Sequence, residues 1–241
     1  MRYFIELSFK GTYYHGWQIQ PDQNSIQGEL TNAISKILQE KIDLIGAGRT
    51  DTGVHANQMF AHFDSDKELT NDWVYKFNSV LPNDIVVYDI RVVDENAHAR
   101  FDAISRSYEY HIWLGRNPFE LDTSWQIYKQ QFDVKKMNEA AKILLEYTDF
   151  ECFSKVKTDV YTFDCDITEA IWRIEGKKLI FCISANRFLR NMVRAIVGTL
   201  LEVGQGKRSL DDFRKVIESK KRSNAGLSVP AQGLFLTQVK Y

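Results

Sequence analysis

The order of hydrophobic periods in the first half of this chain constrains its fold more than any other feature. Residues 3–9 alternate between apolar and polar side chains, the two-residue period of a half-buried strand. Residues 26–38 instead place apolar side chains at helical spacing. Asn24, with Gln27 three residues later, resembles the N-cap of this helix. Three segments continue the order as strand, helix and strand: 55–63, a helix from Trp73 that Pro82 ends, and 85–93. This order predicts an α/β fold.

The second half of the chain repeats the order more loosely. Residues 107–113 alternate like a strand, and residues 134–147 predict a helix capped by Asp133. The other predicted elements are a hairpin of 165–172 and 179–184 with its turn at 175–177, helices over 187–203 and 210–219, and a strand over 234–239.

The chain has 241 residues, a length that suits one large domain or two small ones packed together. No linker rich in Pro, Gly or Ser and no low-complexity run separates the halves. We therefore place the boundary near Ala103, between an N-terminal half, 1–103, and a C-terminal half, 104–241, and expect the two halves to pack closely.

Composition excludes several classes of protein. The net charge of -1 argues against indiscriminate binding to nucleic acid, so any polyanion site must come from clustered Lys and Arg. The three cysteines have no CxxC spacing and predict reduced, structural thiols. The N-terminus lacks a signal-peptide core, and no apolar run approaches the roughly 18 residues of a membrane helix. We expect a cytoplasmic protein.

Three glycines and one carboxylate stand together in GAGRTDTGVHA, residues 46–56, after the apolar pair Leu44-Ile45. The glycines permit a sharp turn, either through positive φ or through close approach of another backbone. Asp51 lies in the middle of that turn, and Arg49 brings a positive charge for a phosphate or for Asp51 itself. Because α/β proteins often carry their chemistry on loops at strand ends, Asp51 is the candidate catalytic acid.

Other interpretations of this loop compete with the catalytic one. An Asp among glycines most often forms an Asx-turn or a helix cap, and the spacing alone leaves that alternative open. Gly46-Ala47-Gly48 begins like a phosphate-binding loop, but no Gly-Lys-Ser/Thr follows. Asp51-Thr52-Gly53 copies the tripeptide of aspartic proteases, whose chemistry needs two such carboxylates sharing a proton. The chain has one copy, so a dimer would have to supply the second.

The stretch GRTDTGVHA resembles the GRTDxGVHA signature of the TruA family of tRNA pseudouridine synthases. Further segments resemble that family in the family's order: YHGWQIQ, HARFDA with RSYEYHI, FLRNMVRAIVG and GLFL. The resemblance covers almost the whole chain. It implies two ferredoxin-like α/β halves sharing one mixed, mainly antiparallel sheet, with the active-site cleft between them. It also implies a homodimer that converts uridine to pseudouridine at positions 38, 39 and 40 in the anticodon stem-loop of tRNA.

The resemblance further implies roles for single residues. Asp51 matches the catalytic aspartate, and Arg194, within MVRAIVG, matches the arginine that forms an ion pair with it. Tyr108, the first tyrosine of RSYEYHI, matches the active-site tyrosine that stacks on the target base. Tyr110 lies on the same face of its strand and is the competing candidate. Leu234, within GLFL, matches an apolar residue that packs against the uracil ring.

Basic residues supply candidate RNA contacts. We name Arg49, Arg100 and Arg106 close to the site. The family's basic pair before the active-site tyrosine is Arg106-Ser107 here, so one basic residue is missing, which affects RNA contact more than chemistry. Outer phosphate contacts are expected at Lys207-Arg208 and Lys220-Lys221-Arg222, and the competing interpretation of such charge runs is an ordinary solvated surface.

The helix predicted over 187–203 carries a basic stripe. At 100° per residue, Arg187, Arg190 and Arg194 fall within an arc of about 60°. The ordinary interpretation is a solvated face of an amphipathic helix. The rest of the helix is strongly apolar, however, so we expect it to be mostly buried and its arginines to have partners.

The chemistry implied here needs no cofactor, because moving the uracil from N1 to C5 attachment is neither a redox reaction nor an energy-requiring one. It needs a carboxylate near C1′ or C6 of the nucleotide, as a nucleophile or as a stabiliser of an oxocarbenium-like state. No metal is predicted, since His55 and His62 are seven residues apart on one strand and point to opposite faces. A noncatalytic RNA-binding module on the same fold is the second hypothesis, and an aspartic-type hydrolase is a weaker third.

Overall fold

The computed structural model describes residues 1–156 and 160–241 as a mixed α/β protein. The described strands are β1 (Arg2–Phe9), β2 (Ile45–Gly46), β3 (His55–Asp64), β4 (Ile85–Val93), β5 (Ser105–Leu114), β6 (Trp125–Ile127), β7 (Ile167–Glu175), β8 (Lys178–Ala185) and β9 (Leu234–Lys240). The described α-helices are α1 (Ile26–Leu38), α2 (Trp73–Asn78), α3 (Val134–Ile143), α4 (Met192–Gly204) and α5 (Leu210–Glu218). The predicted α/β class, with mainly antiparallel strand pairing, is confirmed.

Backbone packing divides the chain into two units. Unit 1 comprises Met1–Ile104 and Phe235–Tyr241, and unit 2 comprises Ser105–Leu234. Almost all of β9 belongs to unit 1 because it runs parallel to β3, and the Val239 N–H donates to Gln58 Oε1 at 3.1 Å. The division into halves 1–103 and 104–241 stays a prediction.

Unit 1 contains the strand order β4-β1-β3-β9, with the short β2 paired to β3. The alternation in β1 buries its apolar side chains, since Tyr3, Ile5 and Leu7 are each at most 1 % exposed. Most apolar residues of α1 are likewise buried, namely Ile26, Leu30, Ala33, Ile34 and Leu38. The apolar residues predicted from the two-residue period of β1 and from the helical period of α1 thus lie in the core of unit 1. The loop between β2 and β3 belongs to the same unit.

Unit 2 contains the strand order β6-β5-β8-β7, with α3, α4 and α5 packed together beside it. Asp133 caps α3 as predicted, because its Oδ1 accepts the Lys136 N–H at 3.0 Å. The helix ends at Ile143 and continues as a 3-10 turn over Leu144–Glu146, short of the predicted end. β7 and β8 form the predicted hairpin, and Gly176 turns it at φ +62.

The predicted helix over 187–203 begins five residues too early. α4 starts at Met192, because Asn191 adopts the left-handed conformation at φ +65, which Asn tolerates but a helix does not. The Arg190 carbonyl accepts the Lys155 N–H at 3.0 Å. Arg187 and Arg190 therefore precede the helix, and the basic stripe predicted for Arg187, Arg190 and Arg194 is wrong.

A smaller correction concerns the start of α1. Its N-cap is Ser25, whose Oγ accepts the Gly28 N–H at 3.2 Å, rather than Asn24. The Asn24 side chain instead donates to the Tyr13 carbonyl at 2.5 Å and bonds to His15 Nδ1 at 2.8 Å. Asn24 thus holds the segment that leads into the helix.

Two sequence-based expectations concern the chain as a whole. Cys152, Cys165 and Cys182 are all free thiols and all buried, as expected for structural cysteines. Burial raises the pKa of each thiol, to about 12 for Cys152 and Cys182 and about 11 for Cys165, so each stays protonated at neutral pH.

Of the helices in the described residues, none combines the length and the apolar character that crossing a membrane requires.

Candidate active site

The loop that carries Asp51 connects β2 to β3 in unit 1. Before the loop, the Ala47 N–H donates to the Phe60 carbonyl at 2.8 Å, which continues the pairing of β2 with β3. After Asp51, the Val54 N–H returns to the Asp51 carbonyl at 3.1 Å. Gly53 adopts φ +79 inside that turn, a conformation that favours glycine. The loop is therefore tied to β3 at its start and closed by a turn at its end.

A second segment packs along this loop. This segment comprises residues 11–17, overlaps the YHGWQIQ motif and is here called the clamp segment. It forms two backbone hydrogen bonds with the Asp51 loop. The Trp17 N–H donates to the Thr50 carbonyl at 3.2 Å, and the Gly53 N–H donates to the Tyr14 carbonyl at 3.3 Å. These bonds lie on either side of Asp51, so the clamp segment fixes the backbone that presents the carboxylate.

The glycines of the clamp segment explain how two backbones come this close. A Cβ at Gly11 would lie 1.9 Å from the Val54 carbonyl oxygen, and one at Gly16 would lie 2.4 Å from the Thr50 carbonyl oxygen. Neither distance is compatible with a side chain. In the loop itself, a Cβ at Gly48 would meet nothing within 4 Å, so the close approach expected there does not apply to Gly48.

Asp51 is half-buried at the centre of the loop, whereas Arg49 is exposed. Tyr14 and Trp17 of the clamp segment are both buried, so they anchor the loop rather than offer faces to a base. The Tyr14 hydroxyl donates to Asp84 Oδ1 at 2.7 Å, and burial together with this bond raises the tyrosine's pKa. The carboxylate thus sits on a backbone that the core of unit 1 holds in place.

The HARFDA motif forms a separate turn in unit 1 that carries Arg100. The ring Nδ1 of His98 accepts the Arg100 N–H at 3.1 Å, and the Ala99 N–H donates to His62 Nδ1 at 3.1 Å. The Tyr241 hydroxyl donates to the Ala99 carbonyl at 2.7 Å. Arg100 itself is exposed, so the turn holds its backbone firmly and leaves its side chain accessible.

Tyr108 and Tyr110 share a face of β5 in unit 2 but differ in burial. Tyr110 is fully buried, and its hydroxyl donates to the Pro230 carbonyl at 2.7 Å. Burial raises its pKa, so the phenol stays protonated. Tyr108 is partly exposed, with its ring edge-on to Phe188 at a centroid distance of 5.1 Å. Of the two tyrosines, only Tyr108 has ring surface for another molecule.

Arg194 lies in the first turn of α4 in unit 2 and is half-buried. Its Nε donates to the Val229 carbonyl at 2.7 Å, and the Val229 N–H donates back to the Arg194 carbonyl at 3.2 Å. The next carbonyl along, that of Pro230, holds Tyr110. A single stretch of backbone therefore positions both the arginine and the strand that carries Tyr108.

That stretch, residues 226–230, is itself fixed at several points. The Gly226 N–H donates to Thr199 Oγ1 at 2.9 Å, and Arg222 donates to the Gly226 carbonyl at 3.0 Å and to Ser228 Oγ at 2.8 Å. A Cβ at Gly198 of α4 would lie 1.8 Å from the Leu227 carbonyl oxygen. Sequence reasoning missed this segment, although it begins at Gly226 and ends at Pro230, and glycine and proline commonly mark the ends of loops.

The remaining candidate residues of unit 2 differ in accessibility. Arg106 is partly exposed, and its Nη1 donates to the Asn186 carbonyl at 2.9 Å. Leu234 is 6 % exposed at the start of β9.

Among the outer cations, Arg208 pairs with Glu202, Lys220 pairs with Asp149 at 2.7 Å, and Arg222 donates to residues 226–230. Lys207 and Lys221 are exposed. Three of the five expected outer contacts therefore have structural partners.

The structure places the candidates in two sets. Unit 1 carries Asp51, Arg49 and Arg100, and unit 2 carries Arg106, Tyr108, Arg194 and Leu234. Within the described residues, no group of three or more His, Cys, Asp and Glu is arranged to hold a metal ion. The candidate residues offer a carboxylate on a fixed loop in unit 1 and an arginine and a phenol on fixed backbone in unit 2.

Comparison with known proteins agrees with this fold and these motifs. The family model described as tRNA pseudouridine synthase matches residues 7–102 and 140–241. A tRNA pseudouridine synthase A of Bacteroides fragilis is 53% identical over 243 residues, covering 100% of this chain and 96% of that protein. The proteins of the same name from Bacteroides thetaiotaomicron and Geobacillus sp. are 51% and 40% identical, over 100% and 98% of this chain and 90% and 96% of those proteins.

The mixed α/β architecture and the family match together define a protein with the pseudouridine synthase fold. Within that class, the chain belongs to the tRNA pseudouridine synthase family.

Proposed function

We propose that this protein converts uridine to pseudouridine at positions 38, 39 and 40 in the anticodon stem-loop of tRNAs. Membership of the family makes it an isomerase that acts on tRNA. The observation that carries the residue-level proposal is Asp51, a half-buried carboxylate on a loop fixed by backbone hydrogen bonds on both sides. The reaction takes place in the cytoplasm, where tRNA is matured, and the working form is a homodimer.

Asp51 is the proposed nucleophile. During the reaction the N1–C1′ bond breaks, the detached uracil turns, and a C5–C1′ bond forms, while the proton lost from C5 is balanced by one gained at N1. A carboxylate held at fixed distance supports bond cleavage either by attacking the sugar or by stabilising its positive charge. Preorganisation of the loop matters because a displacement of about 1 Å costs on the order of 100-fold in rate.

Arg194 and Tyr108 are proposed to complete the chemistry. Arg194 serves as the ion-pair partner that keeps Asp51 charged and oriented. Tyr108 stacks on the target base and takes part in proton transfer at C5, which its partial exposure supports. Leu234 is the proposed apolar contact of the uracil ring. A base inside a helical stem must leave the stack to reach such a site, so the substrate nucleotide is flipped out.

RNA binding is assigned to accessible cations. Arg49 and Arg100 are exposed and Arg106 is partly exposed, so each can approach a phosphate. The net charge of -1 means that this contact is local, and its strength must fall as salt rises. The noncatalytic RNA-binding module remains the second hypothesis, and it predicts binding without turnover.

The test replaces Asp51 with Asn, which removes the charge and keeps the shape. Turnover of tRNA uridine should be lost, while affinity for tRNA stays within about three-fold, because the change touches chemistry rather than binding. Asp43→Asn, an exposed carboxylate shortly before the loop, is the control and should keep normal turnover. Near-normal pseudouridine formation by the Asp51 variant would falsify the assignment. Binding of tRNA by a wild-type protein that makes no pseudouridine would favour the second hypothesis.

A further inference from the structure

His55 follows the Asp51 loop directly and is almost completely enclosed. Its side chain is 1 % exposed, and its ring stacks on Phe235 at a centroid distance of 4.6 Å and an interplanar angle of 27°. Phe235 is its register partner in β9. The ring is therefore held in one orientation by the core of unit 1, and it is not placed to contact substrate itself.

The ring uses Nδ1 as a hydrogen-bond acceptor. The Gly11 N–H donates to His55 Nδ1 at 3.0 Å. An imidazole nitrogen accepts only when it carries no proton, so the ring must be neutral with its proton on Nε2. This bond joins the end of the loop to the start of the clamp segment.

Together with two other hydrogen bonds, the bond to Gly11 joins the clamp segment to residues 50–55. The other two are the backbone bonds from Trp17 to Thr50 and from Gly53 to Tyr14. Gly11 also approaches so closely that a Cβ there would lie 1.9 Å from the Val54 oxygen. At this point of close contact His55 supplies the side-chain acceptor that sets the spacing between clamp segment and loop.

We infer that His55 is a positioning residue for Asp51, which acts through the clamp segment by accepting the Gly11 N–H at Nδ1. This inference rests on the proposed role of Asp51. It assigns to His55 no contact with RNA and no proton transfer. Loss of the acceptor frees the clamp segment, lets the loop shift, and lowers the rate of the chemical step more than it weakens tRNA binding.

A second histidine on the same strand provides a matched comparison. His62, also in β3, is 3 % exposed and accepts the Ala99 N–H at Nδ1 at 3.1 Å. Burial, with smaller contributions from His98 and Arg2, lowers its pKa to about 4, so it is neutral as an acceptor must be. His62 makes the same kind of bond in the same core, but it holds the HARFDA turn rather than the Asp51 loop.

The experiment compares two substitutions at each histidine. His55→Asn keeps an oxygen at the position of Nδ1, whereas His55→Gln moves the oxygen one bond farther from the backbone. We expect kcat to fall by about 10- to 100-fold in His55→Gln, with KM within about three-fold, and to recover to within about five-fold in His55→Asn. His62→Gln should leave kcat within about two-fold, even where it lowers stability to the same degree. Because His62 holds the turn that carries Arg100, any effect of this variant on function should appear in tRNA affinity rather than in kcat.

Amide hydrogen exchange on the same proteins gives a readout independent of turnover. Residues 11–17 and 47–54 should exchange faster in His55→Gln than in His55→Asn, and His62→Gln should not alter them. Equal loss of kcat in the two Gln variants, in proportion to their stability, would overturn the inference, as would unchanged exchange in His55→Gln. Full activity of Asp51→Asn would instead remove the proposed role of Asp51, while the exchange comparison would still decide whether His55 holds the clamp segment.

Discussion

Tyr108 and Tyr110 lie two residues apart on one face of β5, yet their side chains have different surroundings. Tyr110 is fully buried with its hydroxyl on the Pro230 carbonyl, and a Cβ at Gly233 would lie 2.8 Å from its ring. Tyr108 is partly exposed. We therefore expect Tyr108→Ala to lower kcat by at least about 100-fold, the usual minimum for a lost proton-transfer group, with little change in the free energy of unfolding. Steady-state kinetics and urea unfolding measure the two quantities.

Tyr110→Phe is the matched control, because it removes one hydroxyl and keeps the ring. It should reduce the free energy of unfolding by about 1–2 kcal/mol, since the part-buried Pro230 carbonyl loses its donor, and leave kcat close to normal. Tyr108→Phe separates the two roles of Tyr108, because it keeps a stacking surface without a phenol. If both tyrosines lose activity only in step with stability, then neither touches the substrate.

At the scale of elements, the first turn of α4 separates two arginines that the sequence places together. Arg194 lies within the helix and donates to the Val229 carbonyl, whereas Arg190 is exposed and precedes the helix. Arg194→Met should lower kcat strongly and destabilise the protein by about 1.5–3 kcal/mol, the range for a hydrogen bond from a charged group. Arg190→Met should keep kcat and reduce the slope of log affinity against log salt by about one.

Measurements of kcat, unfolding and salt-dependent tRNA binding decide between these expectations. Equal effects of the two substitutions would contradict the separate roles expected of Arg194 in the chemistry and of Arg190 in RNA contact. To test the proposed ion pair, the Asp51→Asn, Arg194→Met double variant should lose little more activity than either single variant, because the pair acts as a unit. Additive losses would argue that Arg194 works independently of Asp51.

The elements also show where sequence reasoning succeeds. The sequence predicts a strand at 85–93, and β4 is Ile85–Val93. The apolar spacing predicts a helix over 26–38, and α1 is Ile26–Leu38. Periodicity succeeds in α1 because one face of that helix is buried and the other is exposed, whereas β4 follows from the β-rich composition of its residues. It fails at the start of α4, where FLRN continues an apolar pattern while Asn191 takes the left-handed conformation, which periodicity does not encode.

The site was only partly predictable for a related reason. The Asp51 loop was identified from its glycines, and the structure supports Gly53 for its φ of +79. The partners of the loop come from sequence-distant residues, such as Gly11 and Gly16. These positions must be glycine because a Cβ there would lie 1.9 and 2.4 Å from loop carbonyl oxygens, a constraint that only the fold creates. The same holds for residues 226–230, which position Arg194 from 35 residues away in sequence.

At the scale of the whole molecule, charge bears on assembly. The protein has a net charge of -1, and three of its expected outer cations are engaged with internal partners. Of the five cations expected as outer contacts, Lys207 and Lys221 therefore remain exposed and outside these pairings to hold an RNA as long as a tRNA. A symmetric dimer doubles the accessible cations along one RNA without changing either active site.

We accordingly predict a homodimer in the absence of RNA. Sedimentation of the free protein at micromolar concentration should give a dimer, and tRNA affinity should fall steeply with salt because several counterions are released on binding. Arg49→Ala, which removes an exposed cation without touching the core, should weaken tRNA binding and leave the sedimentation unchanged. A monomer that modifies full-length tRNA at a normal rate would contradict the assembly prediction and leave the chemistry assigned to Asp51 intact. A dimer whose affinity is insensitive to salt would mean that the partner subunit extends the contact through something other than charge.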